Sequence, residues 1–261
     1  GRRIYHARGK VLGGSSSING MIFQRGNPMD YEKWGKLPGM SNWDFKHVLP
    51  YFNKMETALG SEPNDPRRGH NGPLVLTRGP AISPLFQAFF ESVQQAGYNL
   101  TNDVNGYRQE GFAPFDRNIF KGKRLSAARA YLHPVLDRKN LDVRTRAFTT
   151  RILFDGETAT GVEYEWKGAK RRVYADKVIL CGGAINTPQL LQLSGVGDRD
   201  HLEKLGINVV KHLPGVGENL QDHLEVYVQY NVTKPVSSQP YYKMWIRPFI
   251  GLHRMLTKRG P

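Results

Sequence analysis

Three features of the sequence predict a mixed α/β fold. The first is Val178-Ile179-Leu180-Cys181, a continuous apolar run closed by Gly182-Gly183 and followed by a helical segment. Unbroken apolar character suits a strand buried on both faces, as in a parallel sheet. The second is the alternation of apolar and polar residues at Leu141, Val143 and Thr145 and again at Val162, Tyr164 and Trp166, with Asp155-Gly156 and Lys167-Gly168 between the runs. That pattern reads as an antiparallel meander of three or four strands. The third is a set of segments with apolar residues at helical spacing, bounded by capping residues or glycine.

The elements follow in order. Arg8 to Gly20 is too small and polar for a packed strand and reads as a loop running into a helix start. Asn42-Trp43-Asp44-Phe45 leads into a helix through Phe45, Val48, Leu49 and Phe52, which Pro50 is expected to kink or divide. Ser61 to Gly72, rich in Pro, Gly, Asn and Asp, reads as an exposed loop. Leu74–Leu76 is a short strand. Ser83 caps the next helix, Pro84 suits its first position, Leu85, Phe86, Phe89, Phe90, Val93 and Ala96 form its apolar face, and Gly97 ends it. Ser126 caps a short helix through Leu132 that Pro134 should stop. After the meander and the apolar strand, Thr187-Pro188 opens a helix closed by Gly195, a further helix runs from about Asp200 to Leu205, and Ile207–Val210 reads as one more strand.

Composition excludes several classes. The 261 residues carry 37 Lys+Arg against 23 Asp+Glu, a net charge of +14 that invites a nucleic-acid reading. The positive residues are scattered, however, and the densest groups, Lys121–Arg124, Lys167–Arg172 and Arg254–Arg259, sit near turns or element ends, where a solvated charge is the ordinary reading. No zinc-finger spacing or RNA-binding aromatic signature accompanies them, so no nucleic-acid partner is expected. One cysteine excludes a disulfide framework and a multi-Cys metal site. No stretch approaches the roughly 18 apolar residues of a membrane span. The start, GRRIYHARGK, lacks both an initiator Met and the apolar run of a signal peptide. An internal piece of a longer protein is the expectation.

Chemistry could sit at two loop-to-helix junctions, Gly13-Gly14-Ser15-Ser16-Ser17 and Cys181-Gly182-Gly183-Ala184. Unpaired N–H groups and the positive end of a helix dipole bind phosphate at such places. Neither junction is a GxGxxG fingerprint, and each also reads as a tight turn packing a helix onto a sheet. There is no GxSxG elbow, GxxxxGK loop or HExxH pair, and no metal site is expected. His6, His47, His70, His133, His201, His212 and His253 are isolated in sequence. Asp222-His223 could be catalytic or a hydrogen-bonded corner, and the corner is favoured.

The longer motifs carry a resemblance. Gly9-Lys10-Val11-Leu12-Gly13-Gly14-Ser15-Ser16-Ser17-Ile18-Asn19-Gly20-Met21-Ile22, continuing through Arg25-Gly26-Asn27 and Asp30-Tyr31, closely resembles the first signature of the glucose–methanol–choline (GMC) flavin oxidoreductases. Gly183 to Gly197 (GAINTPQLLQLSGVG) resembles the second. His212 to His223 (HLPGVGENLQDH) resembles the family's linker between flavin and substrate domains. Gln94–Tyr98, Gln109–Phe112 and Ala130–Pro134 are most like the choline-oxidising members.

The resemblance implies part of a doubly wound FAD-binding domain with its β-meander, plus part of an α+β substrate-binding domain. It divides the chain into an FAD-binding signature loop and lid (1–60), a substrate-domain segment (61–120), an FAD-binding segment (121–222) and the start of the main substrate domain (223–261). It implies FAD as cofactor, with Val11, Asn19, Gly20, Met21 and Ile22 along the flavin. Gly13, Gly14 and Ser15 would allow close backbone approach. The strand around Ala147–Thr149 would offer backbone contacts to adenine, with Thr149 where relatives often have Val, and Gly183 and Ala184 would lie near the phosphates. Some relatives carry His at the position of Ile18 and attach FAD covalently. Ile18 cannot, so non-covalent FAD is implied. The dinucleotide fingerprint is expected before this chain begins and the catalytic His beyond Pro261, so no catalytic residue is assigned within it.

The implied activity is oxidation of a small alcohol, with choline going to betaine aldehyde, and the implied electron acceptor is oxygen or a quinone. Another GMC alcohol dehydrogenase or oxidase is the competing enzyme reading, and a basic binding module the non-enzyme one. Trp34, Trp43, Tyr51 and Phe115 are candidates for an aromatic cage around a quaternary ammonium. The expected location is cytoplasmic. The basic, partly apolar stretch Lys243 to Arg259 allows peripheral contact with a membrane's inner face.

Overall fold

The computed structural model describes residue 3 and residues 5–257, which fall into two units, one drawn from 1–141 and 230–261 and the other from 142–229.

In the first unit the glycine-rich loop closes a single 3₁₀ turn, Gly14–Ser17, and continues into β1 (Ile22–Phe23). Helix α1 (Pro28–Gly35) starts where its sequence allows: the Asn27 side-chain oxygen accepts from the Met29 amide, and Pro28 fills the first position, where no N–H is needed. Helix α2 (Phe45–Met55) is capped by Asp44, whose carboxylate accepts from the His47 amide at 2.9 Å. Pro50 does not divide α2, which runs as one helix from Phe45 to Met55. The Tyr31 ring packs against Phe45 and Phe52, which lie on either side of the proline, and these contacts hold the helix together across the missing hydrogen bond.

A four-stranded sheet follows, ordered β1-β4-β3-β2, with β2 (Glu56–Ala58), β3 (Leu74–Arg78) and β4 (Asp116–Arg117). β2 and β3 are parallel; β4 is antiparallel to both β3 and β1, with Ile22 opposite Arg117. The loop joining β2 to β3 is not wholly exposed as its composition suggested. Arg68, Gly69 and Gly72 are buried, because the loop folds back over Glu56. Helix α3 (Pro84–Gln95) begins and ends as predicted, with Ser83 accepting from the Leu85 amide. Only Val93 of its apolar face is buried.

A tight hairpin joins β5 (Ile119–Phe120) to β6 (Lys123–Arg124) through Lys121 and Gly122, both at positive φ. Two such residues match the right-handed twist of the strands. Ser126 then starts a widened turn of helix, Ala128–Leu132. It ends at Leu132 as predicted, and a 3₁₀ turn, His133–Val135, follows with Pro134 near its start, where no amide donor is required.

In the second unit β7 (Phe148–Asp155), β8 (Thr158–Trp166) and β9 (Ala169–Tyr174) form the predicted antiparallel meander, turning at Gly156 and at Lys167-Gly168. Residues 141–145 add no strand to it. Val178–Cys181 is not a strand either, and Ile179 is 83% exposed. A doubly buried strand exists only when neighbours pair with it, and among the described residues none lies alongside. Helix α4 (Gly183–Leu193) opens at Gly183, ahead of Thr187-Pro188, because the Thr187 hydroxyl turns back to accept from the Gly182 amide at 3.0 Å. Ser194 ties α4 to the meander, accepting from the Ile152 amide at 2.8 Å while donating to the Leu190 carbonyl. β10 (Val196–Gly197), α5 (Arg199–Lys204) and β11 (Lys211–His212) complete the unit. The last strand falls just after Ile207–Val210, where Lys211 reaches the register of Val196. Ile152, Tyr164, Val196 and Leu202 make its core.

The final helix of the first unit, α6 (Arg247–Thr257), leaves Phe249, Leu252, Met255 and Leu256 exposed. Lys258 and Arg259, which the basic stretch also included, lie outside the described residues. No helix among the described residues is long and apolar enough to cross a membrane.

Candidate functional site

The glycine-rich loop has one side against protein and one side open. Gly13 has φ 89°, and a Cβ there would lie 2.7 Å from the Ser17 hydroxyl and 3.1 Å from the Ala128 amide. Gly14 also has positive φ, 54°, but a Cβ there would meet nothing within 4 Å. Gly13 is therefore required by the packing of the loop, whereas Gly14 leaves bare backbone facing open space. The serine hydroxyls hold the loop's shape. Ser15 accepts from the Gly9 amide, Ser16 donates to the Gly13 carbonyl and accepts from the Ala127 amide, and Ser17 donates to the Leu12 carbonyl.

After the turn the chain adopts an uncommon conformation. Met21 has φ 64°, in the left-handed region that a non-glycine residue enters at a cost of about 1–2 kcal/mol. Two hydrogen bonds hold it there: its amide donates to the Asn19 side chain at 3.1 Å, and its carbonyl accepts from the Asn118 amide at 3.1 Å. Val11, Ile18 and Ile22 remain about half exposed or more. Open backbone at Gly14 and uncovered apolar side chains nearby in the chain suit a ligand with a polar nucleotide part and a planar apolar ring. The residues present thus fit a flavin cofactor.

In the second unit Thr149 lies on β7, an edge strand of the meander, opposite Tyr164 and next to an irregularity in register. Gly183 opens α4 with φ 86° and no atom within 4 Å of a would-be Cβ. No side chain caps this helix, so its first amides remain available.

A buried charge network supports the first unit, and sequence reasoning missed it. Arg68 is fully enclosed; its Nε donates to Glu56 at 2.8 Å, one Nη to Asp116 at 2.8 Å and the other to Asp103. Arg25 donates to Glu56 at 2.7 Å, and Arg78 reaches both Asp116 and Asp103 at 3.1 Å. Three guanidinium groups thus balance three carboxylates. The network continues to the strand that leaves the loop. The Asn105 side chain donates to Asp116 and to the Phe23 carbonyl, and its Oδ1 accepts from the Arg25 amide at 2.7 Å. Arginines scattered in polar loops look like surface residues, so only the fold reveals them. The nearest sequence signal was Arg25 inside the first signature.

These contacts set a pH dependence. Burial raises the Asp116 carboxyl, but the Arg78 hydrogen bond and the Arg68 charge outweigh it and hold it below its ordinary 3.8. Because the folded value is depressed, this group's stabilisation is complete above the unfolded value and is lost as pH falls through the folded one. Urea denaturation at stepped pH should therefore show stability falling below about pH 4. Asp116→Asn should flatten that fall, and an unchanged acid slope would contradict the assignment.

The remaining sequence candidates are dispersed. Trp34 and Trp43 meet edge to face with centroids 6.2 Å apart, and Tyr31 joins them through Trp34. Among the described residues no ring contact brings Tyr51 or Phe115 to that pair. His47 pairs with Asp44, and His212 accepts from the Arg199 amide. Asp222 accepts from the His223 amide at 2.8 Å in an exposed stretch.

Comparison with solved structures places this arrangement among the flavin oxidoreductases. The chain is similar to an FAD-dependent oxidoreductase from Chaetomium thermophilum, with a TM-score of 0.83 and 30% identity, covering 97% of this chain and 46% of that one. It is also similar to pyridoxine 4-oxidase from Mesorbium loti, with a TM-score of 0.74 and 32% identity over 79% of this chain and 41% of that one. More particularly, the chain belongs to the GMC oxidoreductase family, whose model matches residues 1–225. Family and neighbours indicate FAD as the cofactor. Proteins named oxygen-dependent choline dehydrogenase from Staphylococcus xylosus and Staphylococcus saprophyticus are 61% and 60% identical over 260 residues, which is 100% of this chain and 46% of each relative. The chain thus spans about half the length of the curated relatives it matches.

Proposed function

We propose that this chain forms the flavin-signature part of an enzyme that oxidises choline to betaine aldehyde and onward to betaine. The observation that carries the reading is the 61% identity to a choline dehydrogenase, sustained along the whole chain. When bound, FAD supplies the hydride acceptor for alcohol oxidation. Val11 and Asn19 to Ile22 line the flavin, and Gly14 and Ser15 offer backbone to the cofactor beside the structurally required Gly13. Thr149 offers backbone to adenine, and Gly183 with Ala184 offers helix-terminal amides to phosphate. In this reading residues 1–60 and 121–222 serve FAD, and 61–120 and 223–261 serve the substrate. Oxygen, which the Staphylococcus relatives carry in their names, is the proposed electron acceptor. The exposed apolar residues of α6 beside Arg247 and Arg254 favour a second reading, a quinone reached at a membrane surface.

The test is a chimera in which this chain replaces the matching 260 residues of the Staphylococcus xylosus relative. Choline oxidation with hydrogen peroxide release at a rate comparable to the parent is expected. A flavin-loaded chimera that oxidises other alcohols but not choline would overturn the substrate assignment.

The same chimera tests how the flavin is held. Ile18 offers only hydrocarbon, and the neighbouring hydroxyls of Ser16 and Ser17 are engaged with backbone carbonyls. The hydroxyls of Ser15, Ser16 and Ser17 are weak nucleophiles without an adjacent base. Acid precipitation should leave the yellow colour in the supernatant; colour retained in the washed pellet would show the attachment to be covalent.

A further inference from the structure

The basic group Lys121–Arg124 reads from sequence as solvated charge, but the hairpin separates its members. Lys121 and Lys123 are exposed, whereas Arg124 is half-buried and points back to the glycine-rich loop. Its Nη1 donates to the Asn19 carbonyl at 2.7 Å, to the Asn19 side-chain oxygen at 2.8 Å and to the Ser16 carbonyl at 3.2 Å. The Ser16 and Asn19 carbonyls lie in the last part of the 3₁₀ turn and just past it, where carbonyls lack helical partners. The Asn19 oxygen that Arg124 contacts is also the one that accepts from the Met21 amide and keeps Met21 at positive φ. Arg124 itself is fixed: its residue pairs with Ile119 across the hairpin, and its carbonyl accepts from Arg129 at 3.0 Å. One side chain therefore joins the turn, the asparagine and the strained methionine.

We propose that Arg124 is a positioning residue for the cofactor, holding the Ser16 and Asn19 oxygens so that Asn19 to Ile22 keep the backbone shape that receives the flavin. This rests on the FAD reading of the loop. It assigns to Arg124 no contact with the flavin; the effect passes through Asn19 and Met21. Hydrogen bonds to a charged group contribute enough that losing them should weaken FAD roughly ten- to hundredfold. Lysine carries the same charge on a side chain one bond shorter, so it should restore part of the affinity.

FAD titration and visible circular dichroism of the flavin in the chimera test the proposal. Arg124→Met should weaken FAD and alter the flavin's dichroic bands, and Arg124→Lys should recover part of both. The thermal midpoint of the FAD-free protein should fall less than that of the FAD-loaded protein. Asn19→Ala should also weaken FAD, and the Arg124→Met/Asn19→Ala pair should lose less than the sum of the two. Arg124→Met that binds FAD normally, additive losses in the pair, or an equal fall in the FAD-free midpoint would overturn the positioning role. An unsubstituted chimera that takes up no FAD would instead overturn the functional reading, and this inference with it.

Discussion

Replacing Arg68 with Met is expected to destabilise the first unit by about 3–5 kcal/mol, the cost typical of removing one partner from a buried ion pair. The side chain is wholly enclosed and is the one guanidinium that touches all three carboxylates, Glu56, Asp103 and Asp116. Its loss leaves the buried Glu56 and Asp116, with the partly exposed Asp103, facing only Arg25 and Arg78, an uncompensated negative charge. Arg68 is also held protonated: burial opposes its charge, and the Glu56 hydrogen bond and the surrounding carboxylates prevail. The disturbance would reach the glycine-rich loop, because Asp116 and Asn105 fix the Phe23 carbonyl and the Arg25 amide. Equilibrium urea denaturation of the chimera checks the figure. A loss under about 1 kcal/mol, the ordinary scale of a surface charge pair, would mean that the network is dispensable.

Replacing Gly14 with Val is expected to weaken FAD binding roughly a hundredfold or more, about 2.7 kcal/mol, while leaving most of the fold's stability intact. The two effects separate because of where the side chain would go. Nothing in the chain lies within 4 Å of a Cβ at Gly14, so the only internal cost is strain at φ 54°, about 1–2 kcal/mol. The added methyl groups would occupy the open space assigned to the cofactor. Gly9→Ala should behave in the opposite way, since its Cβ would lie 2.2 Å from the Gly14 carbonyl oxygen. That variant should lose stability first and FAD as a consequence. If Gly14→Val binds FAD normally, the open side of the loop is not the cofactor face.

Local signals made some of the helices and turns legible in the sequence, though not α1, α6 or the β5–β6 hairpin. Ser83-Pro84 and Gly97 bracket α3 because a hydroxyl cap and a proline at a helix start act within a few residues, and a glycine is needed just past its end. Lys167-Gly168 marks the tight turn of the meander for the same kind of reason. Signals that depend on distant partners were not legible. Val178–Cys181 has the composition of a buried strand, but pairing, absent among the described residues, is what makes a strand. Pro50 lies inside α2 because Tyr31, on another helix, packs on both sides of it. The glycines and apolar residues of the loop around Gly14 announced themselves as a motif. The groups that hold the loop did not, since Arg68, Asp116 and Arg124 come from segments far along the chain.

The most direct measurement is anaerobic mixing of the FAD-loaded chimera with choline in a stopped-flow spectrophotometer, followed at the flavin's blue absorption band. Choline should bleach the band in a single turnover, and admitting oxygen should restore it. Flavin that is bound yet stays oxidised under choline, while another primary alcohol bleaches it, would contradict the account.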